Sequence, residues 1–373
     1  MSLVIKQELT QVASTVKTKA DKLPEKLATL TKSEKQDAIK DVTAALNKEY
    51  ECQLVQKLGK KSFKRWPSLA SGMPTFDETV MSVGGLPDGR VIEIFGPESS
   101  GKTTLCLHFI AMAQKLGEMA AFIDAEHALD LNYARKLGVD VDNLVISQPD
   151  YGEQAIEVLI AFLKTRAFRI VVIDSVSALV PLSELEGDMT DASMGVQARL
   201  MSKAMRKVIG AASQAGTIVI FVNQVREKIG VMFGNPEVTT GGRALKFFSS
   251  VRLETRRLSK SDGGEIKDDA GIHLGHRMRI VNKKNKVGAP YRETDVVLMY
   301  ATGFDLKEDV IEYAIATGVI TKGNPGWFNF EDQKLRKSDL TDSDVYEKVL
   351  KAAYAARDAR LKAEADALAA VPA

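Results

Sequence analysis

The order of apolar and polar positions divides the chain into three parts, 1–70, 71–300 and 301–373. Across the middle part, short apolar runs alternate with amphipathic segments, which predicts an α/β fold with a mostly parallel central sheet. The predicted parallel strands are Val91–Phe95, Ala120–Ile123, Leu144–Ser147, Ile170–Ile173 and Thr217–Val222. Such a sheet binds ligands at the carboxyl ends of its strands, so the residues there are the first candidates for chemistry.

The pattern changes after the fifth strand. Ser250–Thr255, Arg277–Asn282 and Asp295–Tyr300 are strand-like without intervening helices, which indicates an antiparallel extension of the sheet. Beyond this extension we predict a small α+β domain. It would consist of a helix over Glu308–Thr317, a hairpin at Gly326–Phe330 and a last helix through the alanine-rich end.

The first 70 residues are predicted to be helical and separate from the sheet. Ser33–Gln36 fits a capping box, and apolar residues from Ile39 to Leu54 then recur at helical spacing. Pro24 separates this helix from an earlier one around Val4–Lys22. Residues 1–65 hold 14 Lys and Arg against 8 Asp and Glu. This surplus fits either a solvated helical arm or a nucleic-acid contact.

Net charge, cysteine content and apolar runs limit the class of protein and its compartment. The net charge is only +2, so binding of nucleic acid would depend on local clusters. The two cysteines, Cys52 and Cys106, are too few and too separated for a disulfide framework or a zinc site. No signal peptide and no membrane-length apolar run is evident, so we expect a cytoplasmic protein with no membrane partner.

The most specific motif follows the first predicted strand. Residues 96–103 fit G-x-x-x-x-G-K-[ST], and the next ten residues have a helical pattern. Glycines let backbone N–H groups turn towards an anion, and the helix N-terminus adds partial positive charge. Lys102 would meet the outer phosphates, and the Thr103 hydroxyl would ligate Mg2+. The chain is therefore predicted to bind a nucleoside triphosphate.

Three further strand ends carry polar groups. Asp174 directly follows the apolar strand Ile170–Ile173. In nucleotide sites of this kind, an acid at such a strand end holds Mg2+ through the water shell of the ion, and we predict this role for Asp174. Glu126 follows another strand and would orient the water that attacks the outer phosphate, unless it is a capping or salt-bridged acid. Gln224 ends a third strand, where a neutral amide can hydrogen-bond the terminal phosphate and report its loss.

The segment Val225–Gly242 combines glycine and proline hinges with basic and exposed apolar residues. A stretch of this kind suits single-stranded nucleic acid, through phosphate charge and base stacking. The alternative is an ordinary surface loop, although exposed Ile, Met and Phe together are unusual without a partner. Its candidate contacts are Arg226, Lys228, Ile229, Met232 and Phe233.

Several segments together resemble the bacterial RecA recombinases. They are Gly84–Pro87, Gly96–Thr104, Phe122–Asp130, Tyr133–Val139, Lys228–Glu237 and Thr239–Phe247. The likeness runs almost continuously from Val83 to Tyr300 and is highly specific; the small C-terminal part is also similar, through Gly326 and Trp327. It implies a RecA-like core, 71–300, between a helical N-terminal oligomerisation region, 1–70, and a small C-terminal domain, 301–373.

The resemblance implies a helical filament that uses ATP, pairs single-stranded DNA with homologous duplex DNA and exchanges strands during DNA repair and the SOS response. Glu126 would be the catalytic carboxylate, supported by Lys102 and by Gln224 as the γ-phosphate sensor. Lys284 and Lys286 would reach the ATP of the adjacent subunit, as an arginine finger does. Single-strand-binding and mediator proteins would be further partners.

The resemblance also assigns the remaining contacts. ATP would lie against the loop Gly96, Pro97, Glu98, Ser99, Ser100, Gly101, Lys102, Thr103 and Thr104, with Asp130 and Tyr133 around adenine and Mg2+ at Thr103 and Asp174. DNA would contact Met194, Arg199, Arg206, Gly241, Gly242 and Arg243, besides the residues of the 225–242 segment.

The chain departs from the family at both ends. Its N-terminal region is longer than usual and keeps little of the family pattern. Residues 355–373 hold three bases and three acids, so we do not expect them to act as the acidic tail that restrains duplex binding in relatives. Both departures indicate a bacteriophage-encoded or divergent member. The alternatives are a RecA-fold ring helicase and a mediator that binds ATP without turnover.

Overall fold

The computed structural model describes residues 31–50, 55, 66–187, 195–227 and 237–370. The chain forms two compact units, Met1–Lys64 and Arg65–Ala373. The predicted earlier helix around Val4–Lys22 lies outside the described residues. The three-part division into 1–70, 71–300 and 301–373 stays a prediction.

Helix α1 (Lys32–Glu49) is the described element of the first unit. The sequence predicted Ser33 as its cap, but the capping residue is Thr31, whose side chain and backbone exchange hydrogen bonds with Glu34. Both serine and threonine fit the same motif, so only the backbone geometry separates them. None of the α1 residues is buried, and Ile39 and Val42 are 63% and 59% exposed.

The second unit is built on one 11-stranded sheet, which confirms the α/β prediction. Its parallel strands are β3 (Val91–Gly96), β4 (Met119–Asp124), β5 (Val145–Ser147), β6 (Phe168–Asp174), β7 (Ile218–Glu227) and β9 (Val251–Arg257). They lie side by side in the order β9-β3-β7-β6-β4-β5. The predicted strand at 250–255 is therefore the boundary strand: it pairs parallel with β3, which we did not expect, and antiparallel with β11, as we expected.

The sheet continues past β9 with antiparallel strands. They are β10 (Glu265–Lys267), β11 (His273–Asn285), β12 (Glu293–Met299) and β13 (Gly303–Phe304). Strand β8 (Glu237–Thr239) pairs antiparallel with the end of β7, beyond the residues of β7 that pair with β3. A separate pair, β1 (Ser68–Leu69) and β2 (Leu86–Pro87), and a π-helical turn over Thr75–Val80 precede β3.

Helices cover both faces of the sheet. They are α2 (Lys102–Lys115), α3 (Leu131–Lys136), α4 (Gly152–Thr165), α5 (Leu182–Leu185), α6 (Val196–Ala215) and α7 (Ala244–Phe248). Leu105 and Phe109 of α2 belong to the apolar core on one face. Leu159 of α4 and Met205 of α6 belong to the core on the other face. With both faces covered, the central parallel strands carry continuous apolar runs, such as Ile170–Ile173 and Ile218–Val222, as the sequence pattern indicated.

The C-terminal part has its own apolar core, which includes Tyr313, Phe330 and Val349. It contains helices α8 (Leu306–Ala316), α9 (Lys337–Leu340) and α10 (Ser343–Ala370). The expected hairpin is a three-stranded antiparallel sheet of β14 (Thr321–Lys322), β15 (Trp327–Phe330) and β16 (Gln333–Arg336). Among the helices that the structure describes, none combines the length and apolar character that a membrane crossing requires.

Candidate active site at the carboxyl edge of the sheet

The glycine-rich loop lies between β3 and α2, where the sequence predicted it. Gly101 adopts φ 85°, a left-handed conformation that favours glycine, and the helix begins at the next residue, Lys102. The helix thus starts two residues earlier than expected, with Lys102 and Thr103 in its first turn. Lys102 Nζ donates to the carbonyls of Gly96 and Pro97 at 3.1 and 2.6 Å. Partial burial lowers the pKa of Lys102.

Strand β9 forms a wall behind this loop. A Cβ atom at Gly96 would collide with the backbone carbonyl oxygen of Thr255, so only glycine fits there. The hydroxyls of Ser100 and Thr255 lie 2.9 Å apart in a buried contact. The loop is therefore fixed by side-chain and backbone contacts from a strand that follows it by more than 150 residues.

Thr103 and Asp174 meet at the sheet edge, as expected for a metal-binding pair. Thr103 Oγ1 donates to Asp174 Oδ2 at 2.6 Å. Burial raises the pKa of Asp174 to about 6, against the hydrogen bond from Thr103, which lowers it. A hydroxyl and a carboxylate are oxygen donors that suit Mg2+ with waters and phosphates completing its shell. In the described ranges, no cluster of three His, Cys, Asp or Glu side chains offers an all-protein metal site.

Glu126 and Gln224 come together although they are 98 residues apart. Gln224 Nε2 donates to Glu126 Oε1 at 3.1 Å. Gln224 also lies in register with Gly96, the first residue of the loop. The Ser175 hydroxyl donates to the same Glu126 oxygen. Ser175 was not among the predicted site residues, although it directly follows Asp174 at a strand end.

Asp130 and Tyr133 lie beside the loop on α3. The Asp130 carboxylate caps this helix, accepting from the backbone of Asn132 and Tyr133 at 2.8 and 3.1 Å. The Tyr133 hydroxyl lies 3.1 Å from the Thr104 hydroxyl at the end of the loop. These contacts join the α3 segment to the phosphate loop.

Lys284 and Lys286 lie apart from this cluster. Lys284 belongs to β11 rather than to a basic turn, and Lys286 follows that strand. Lys284 Nζ donates to the carbonyls of Lys246 and Phe247, each at 2.8 Å. Burial, together with the charges of Lys286 and Arg252, lowers the pKa of Lys284 to about 8. In the sheet, β9, β3, β7 and β6 separate β11 from β4, which leads to Glu126. The structure therefore does not bring these lysines to the Glu126 of their own subunit.

The predicted DNA contacts lie around α6, β7 and α7. Arg199 and Arg206 are exposed on α6, Arg226 is exposed on β7, and Arg243 is exposed before α7. Gly241 and Gly242 have φ near 75° and pack against Val176 and Ala198, so both positions also require glycine for structural reasons. The ends of the 225–242 segment form a β-ribbon, with Arg226 opposite Val238, rather than a loop throughout. Outside the described residues lie Met194, Lys228, Ile229, Met232 and Phe233.

Comparison with known proteins agrees with this architecture. The family model described as RecA N-terminal domain matches residues 37–305. A protein named Protein RecA from Mesoplasma florum is 51% identical over 267 residues, which cover 72% of this chain and 78% of that protein. Protein RecA from Macrococcus caseolyticus is 48% identical over 304 residues, covering 81% and 84% of the two chains. A solved structure titled crystal structure of the RadB recombinase has a TM-score of 0.47 and 18% identity, over 63% of this chain and 97% of that one.

The chain belongs to the RecA family. It is a DNA recombinase and DNA-dependent ATPase, which binds nucleotide and DNA and assembles into filaments. This assignment disfavours the ring-helicase and mediator alternatives. The match also begins at residue 37, so the family pattern reaches into α1 and extends further towards the N-terminus than the start at Val83 that we expected.

Proposed function

We propose that the chain hydrolyses ATP with Mg2+ at the edge formed by β3, β4, β6 and β7. The observation that carries this proposal is the hydrogen bond between Gln224 Nε2 and Glu126 Oε1, opposite the start of the phosphate loop. The Glu126 carboxylate and the Gln224 amide therefore lie in contact beside the place where the outer phosphate would bind. A water molecule placed between the outer phosphate and Glu126 would lose its proton to the carboxylate, and Gln224 would be free to bond the phosphate.

Lys102 would hold the outer phosphates. Its ammonium now donates to carbonyls of its own loop, and phosphate oxygens would replace these weaker acceptors. Since the ammonium is partly buried, its attraction to an anion is screened less than at an exposed site. The other loop residues would contribute backbone N–H groups at the helix N-terminus.

Thr103 and Asp174 would hold the Mg2+, and their oxygen donors fit this ion. Bound there, Mg2+ would neutralise charge that develops on the phosphates. Asp130 and Tyr133 would border the adenine. Because Asp130 Oδ1 caps α3, the base would meet Oδ2.

Lys284 and Lys286 would act on the ATP of the neighbouring subunit. The sheet order supports this, since four strands lie between β11 and β4, the strand that leads to Glu126. Cations supplied across a boundary stabilise phosphoryl-transfer charge only in the assembled filament. ATP turnover would thereby depend on DNA, which promotes assembly.

Arg199, Arg206, Arg226 and Arg243 would contact single-stranded DNA and its homologous duplex, with Gly241 and Gly242 letting the backbone approach phosphates. Met194, Lys228, Ile229, Met232 and Phe233 are proposed contacts outside the described residues. Single-strand-binding and mediator proteins are proposed partners. A cytoplasmic location is part of the same proposal.

Steady-state ATP hydrolysis with and without single-stranded DNA, followed by negative-stain microscopy of the same samples, tests this function. We expect DNA-stimulated turnover on open helical filaments. Closed rings of six or seven subunits would favour a helicase instead, and ATP binding without turnover would favour a mediator.

A further inference from the structure

Four charged side chains form a continuous chain of ion pairs across three strands, and the activity described above does not use them. Arg256 of β9 bonds Glu237 of β8, and it also bonds Glu254 of its own strand through Nε and Nη2 at 2.9 and 2.7 Å. Lys283 of β11 bonds the other Glu254 oxygen at 2.9 Å. We call this set the β8–β11 relay. It runs from the β7–β8 ribbon to the strand that carries Lys284.

Glu254 is the centre of the relay. Its side chain is only 6% exposed, whereas Arg256 and Lys283 are 38% and 41% exposed. Burial acts to raise the pKa of Glu254, but hydrogen bonds from Lys283 and Arg256 outweigh it and lower this pKa. Glu254 is therefore a carboxylate at neutral pH, and both cations are held by it. A buried charge of this kind is costly unless its partners stay in place.

At one end, the relay holds a β-bulge. Along β11, Asn282 is opposite Leu253 and Lys284 is opposite Arg252, so Lys283 is the extra residue between two successive pairs. A bulge changes the direction of the side chains beside it. Lys283 is thus free to reach Glu254, and Lys284 is directed to the carbonyls of Lys246 and Phe247. The Glu254–Lys283 pair therefore contributes to where the Lys284 ammonium lies.

At the other end, the relay reaches the ribbon. Glu237 lies opposite Glu227 at the end of the ribbon that residues 228–236 connect in sequence, and the next pair joins Arg226 to Val238. The same chain segment continues to Gly241, Gly242 and Arg243. A shift of β8 would therefore change the Arg256–Glu237 contact. Arg256 would transmit it to Glu254, because one guanidinium bonds both carboxylates.

We propose that Glu254 and Arg256 are positioning residues that couple DNA at the β7–β8 ribbon to the placement of Lys284 at the subunit boundary. This inference rests on the proposed role of Lys284. DNA bound to the ribbon would hold β8 in place, and β8 would hold Arg256 and Glu254 in place through Glu237. Glu254 would in turn hold Lys283 and the bulge in β11 in one position. Coupling of two sites requires one element whose arrangement both sites bias, and in this proposal the relay is that element.

The test measures ATP turnover with and without single-stranded DNA in Arg256→Lys, Glu254→Gln and the unaltered chain. A lysine keeps the charge but lacks the planar, rigid fork of donors with which Arg256 holds Glu254 and Glu237 in one geometry. We expect DNA-stimulated turnover to fall by about tenfold, within the usual range of coupling effects, with DNA-free turnover within about twofold. Single-stranded DNA affinity should not change. Arg279→Lys is the matched control, since Arg279 also makes a bidentate pair, with Asp295, at similar exposure but outside the relay.

A double-mutant cycle with Glu237→Gln and Arg256→Lys measures whether the two residues act together on DNA stimulation. Residues that only stabilise the fold would not show such coupling. The two changes should be strongly non-additive in the DNA-stimulation ratio, with equal thermal stability of the single variants. If Glu254→Gln does not fold, Arg256→Lys and the cycle decide alone. A proportional loss of DNA affinity in Arg256→Lys would make Arg256 a DNA contact and overturn the inference.

The same measurement on Lys284→Met distinguishes a failure of this inference from a failure of the proposed function. If Lys284→Met keeps full DNA stimulation, the proposed boundary role of that lysine is wrong, and the relay proposal is wrong with it. If Lys284→Met loses stimulation while Arg256→Lys and Glu254→Gln keep it, only the relay proposal is overturned.

Discussion

Thr103 and Asp174 are joined by a hydrogen bond of 2.6 Å, although they lie 71 residues apart in the chain. The contact exists because the first turn of α2 and the end of β6 meet at the same edge of the sheet. Asp174 is buried there with acids nearby, which favours its protonated form. A cation at this point would take the place of that proton.

Replacing Asp174 with Asn should stabilise the nucleotide-free protein while it removes Mg2+-dependent ATP turnover. The pKa of Asp174 is raised from 3.8 to about 6. Below pH 4 both folded and unfolded chains hold the proton. As the pH rises towards 6 only the unfolded chain loses it, so stability falls by about 2–3 kcal/mol and stays lower above pH 6. Urea denaturation at pH 7.5 and pH 4 should show most of the gain from Asp174→Asn at the higher pH, because at pH 4 the ionisation of the unfolded carboxyl is only partial.

Equal stability of the two proteins at both pH values would show that the ionised Asp174 side chain does not destabilise the nucleotide-free protein. Isothermal titration with Mg2+ and a non-hydrolysable ATP analogue provides the complementary measurement. Tight Mg2+-dependent binding by Asp174→Asn would contradict the proposed metal pair.

Glu126→Gln should keep ATP binding and lower hydrolysis at least about 100-fold, because an amide cannot accept the proton of the attacking water. Single-turnover hydrolysis measures this directly. Glu118→Gln is the control, since Glu118 is exposed beside the opposite, amino end of the same strand β4. Hydrolysis by Glu126→Gln within about twofold of the unaltered chain would mean that another group is the base.

The strand ends were predictable, whereas contacts between distant strands were not. An apolar run that stops at a polar residue gave Asp174 and Gln224, since fully buried strands have that pattern. The parallel pairing of β9 with β3 leaves no local signal, so the antiparallel prediction is right only for the edge of β9 that faces β11. The Arg256–Glu237 contact could not be predicted for the same reason, because it depends on how β8 and β9 are placed in the sheet. Ser175 escaped notice because a lone serine after a strand has no distinctive pattern.

Lys284 should make filament assembly sensitive to alkaline pH. Its pKa is lowered to about 8 in the subunit, so the ammonium loses its proton as the pH rises through that value. A subunit that must present this cation to a phosphate would then have to take up a proton on joining. The protein concentration needed for half-maximal DNA-stimulated turnover should therefore rise between pH 7 and pH 9.

Lys284→Arg is the control for this measurement, because a guanidinium stays charged throughout the range. Its assembly should be independent of pH between 7 and 9, whatever its absolute rate. Simultaneous Lys284→Ala and Lys286→Ala should remove DNA-stimulated turnover and leave DNA-free turnover unchanged. Equal loss of both activities would argue against a role across the boundary.

Binding of single-stranded DNA should weaken steeply with salt, since each phosphate contact releases counterions. Replacing Arg206 or Arg243 with Gln should weaken binding and reduce the slope of log K against log salt by about one. Arg166→Gln is the matched control, because Arg166 is exposed after α4 at the amino edge of the sheet. Fluorescence anisotropy over a salt series measures the slopes. A slope for Arg206→Gln equal to that of Arg166→Gln would remove Arg206 from the interface.

The C-terminal helix should matter for stability rather than for charge repulsion with DNA. Arg360 of α10 bonds Glu78 at 3.3 Å, and the Glu78 side chain is only 3% exposed. Arg360→Met should lower the free energy of unfolding by about 1–2 kcal/mol, between the values for exposed and buried pairs. Lys362→Met is the control on the same helix. Equal stability of the two variants would show that the Arg360 pair contributes nothing.

The contact of Thr255 with the start of the phosphate loop has a consequence for synthesis of the protein. The loop itself emerges from the ribosome early, but its wall belongs to a strand that is made more than 150 residues later. Closing so long a segment delays the finished pocket. A nascent chain that stops before β9 would carry the complete motif without the geometry, so nucleotide capture by ribosome-bound chains reports the docking of β9.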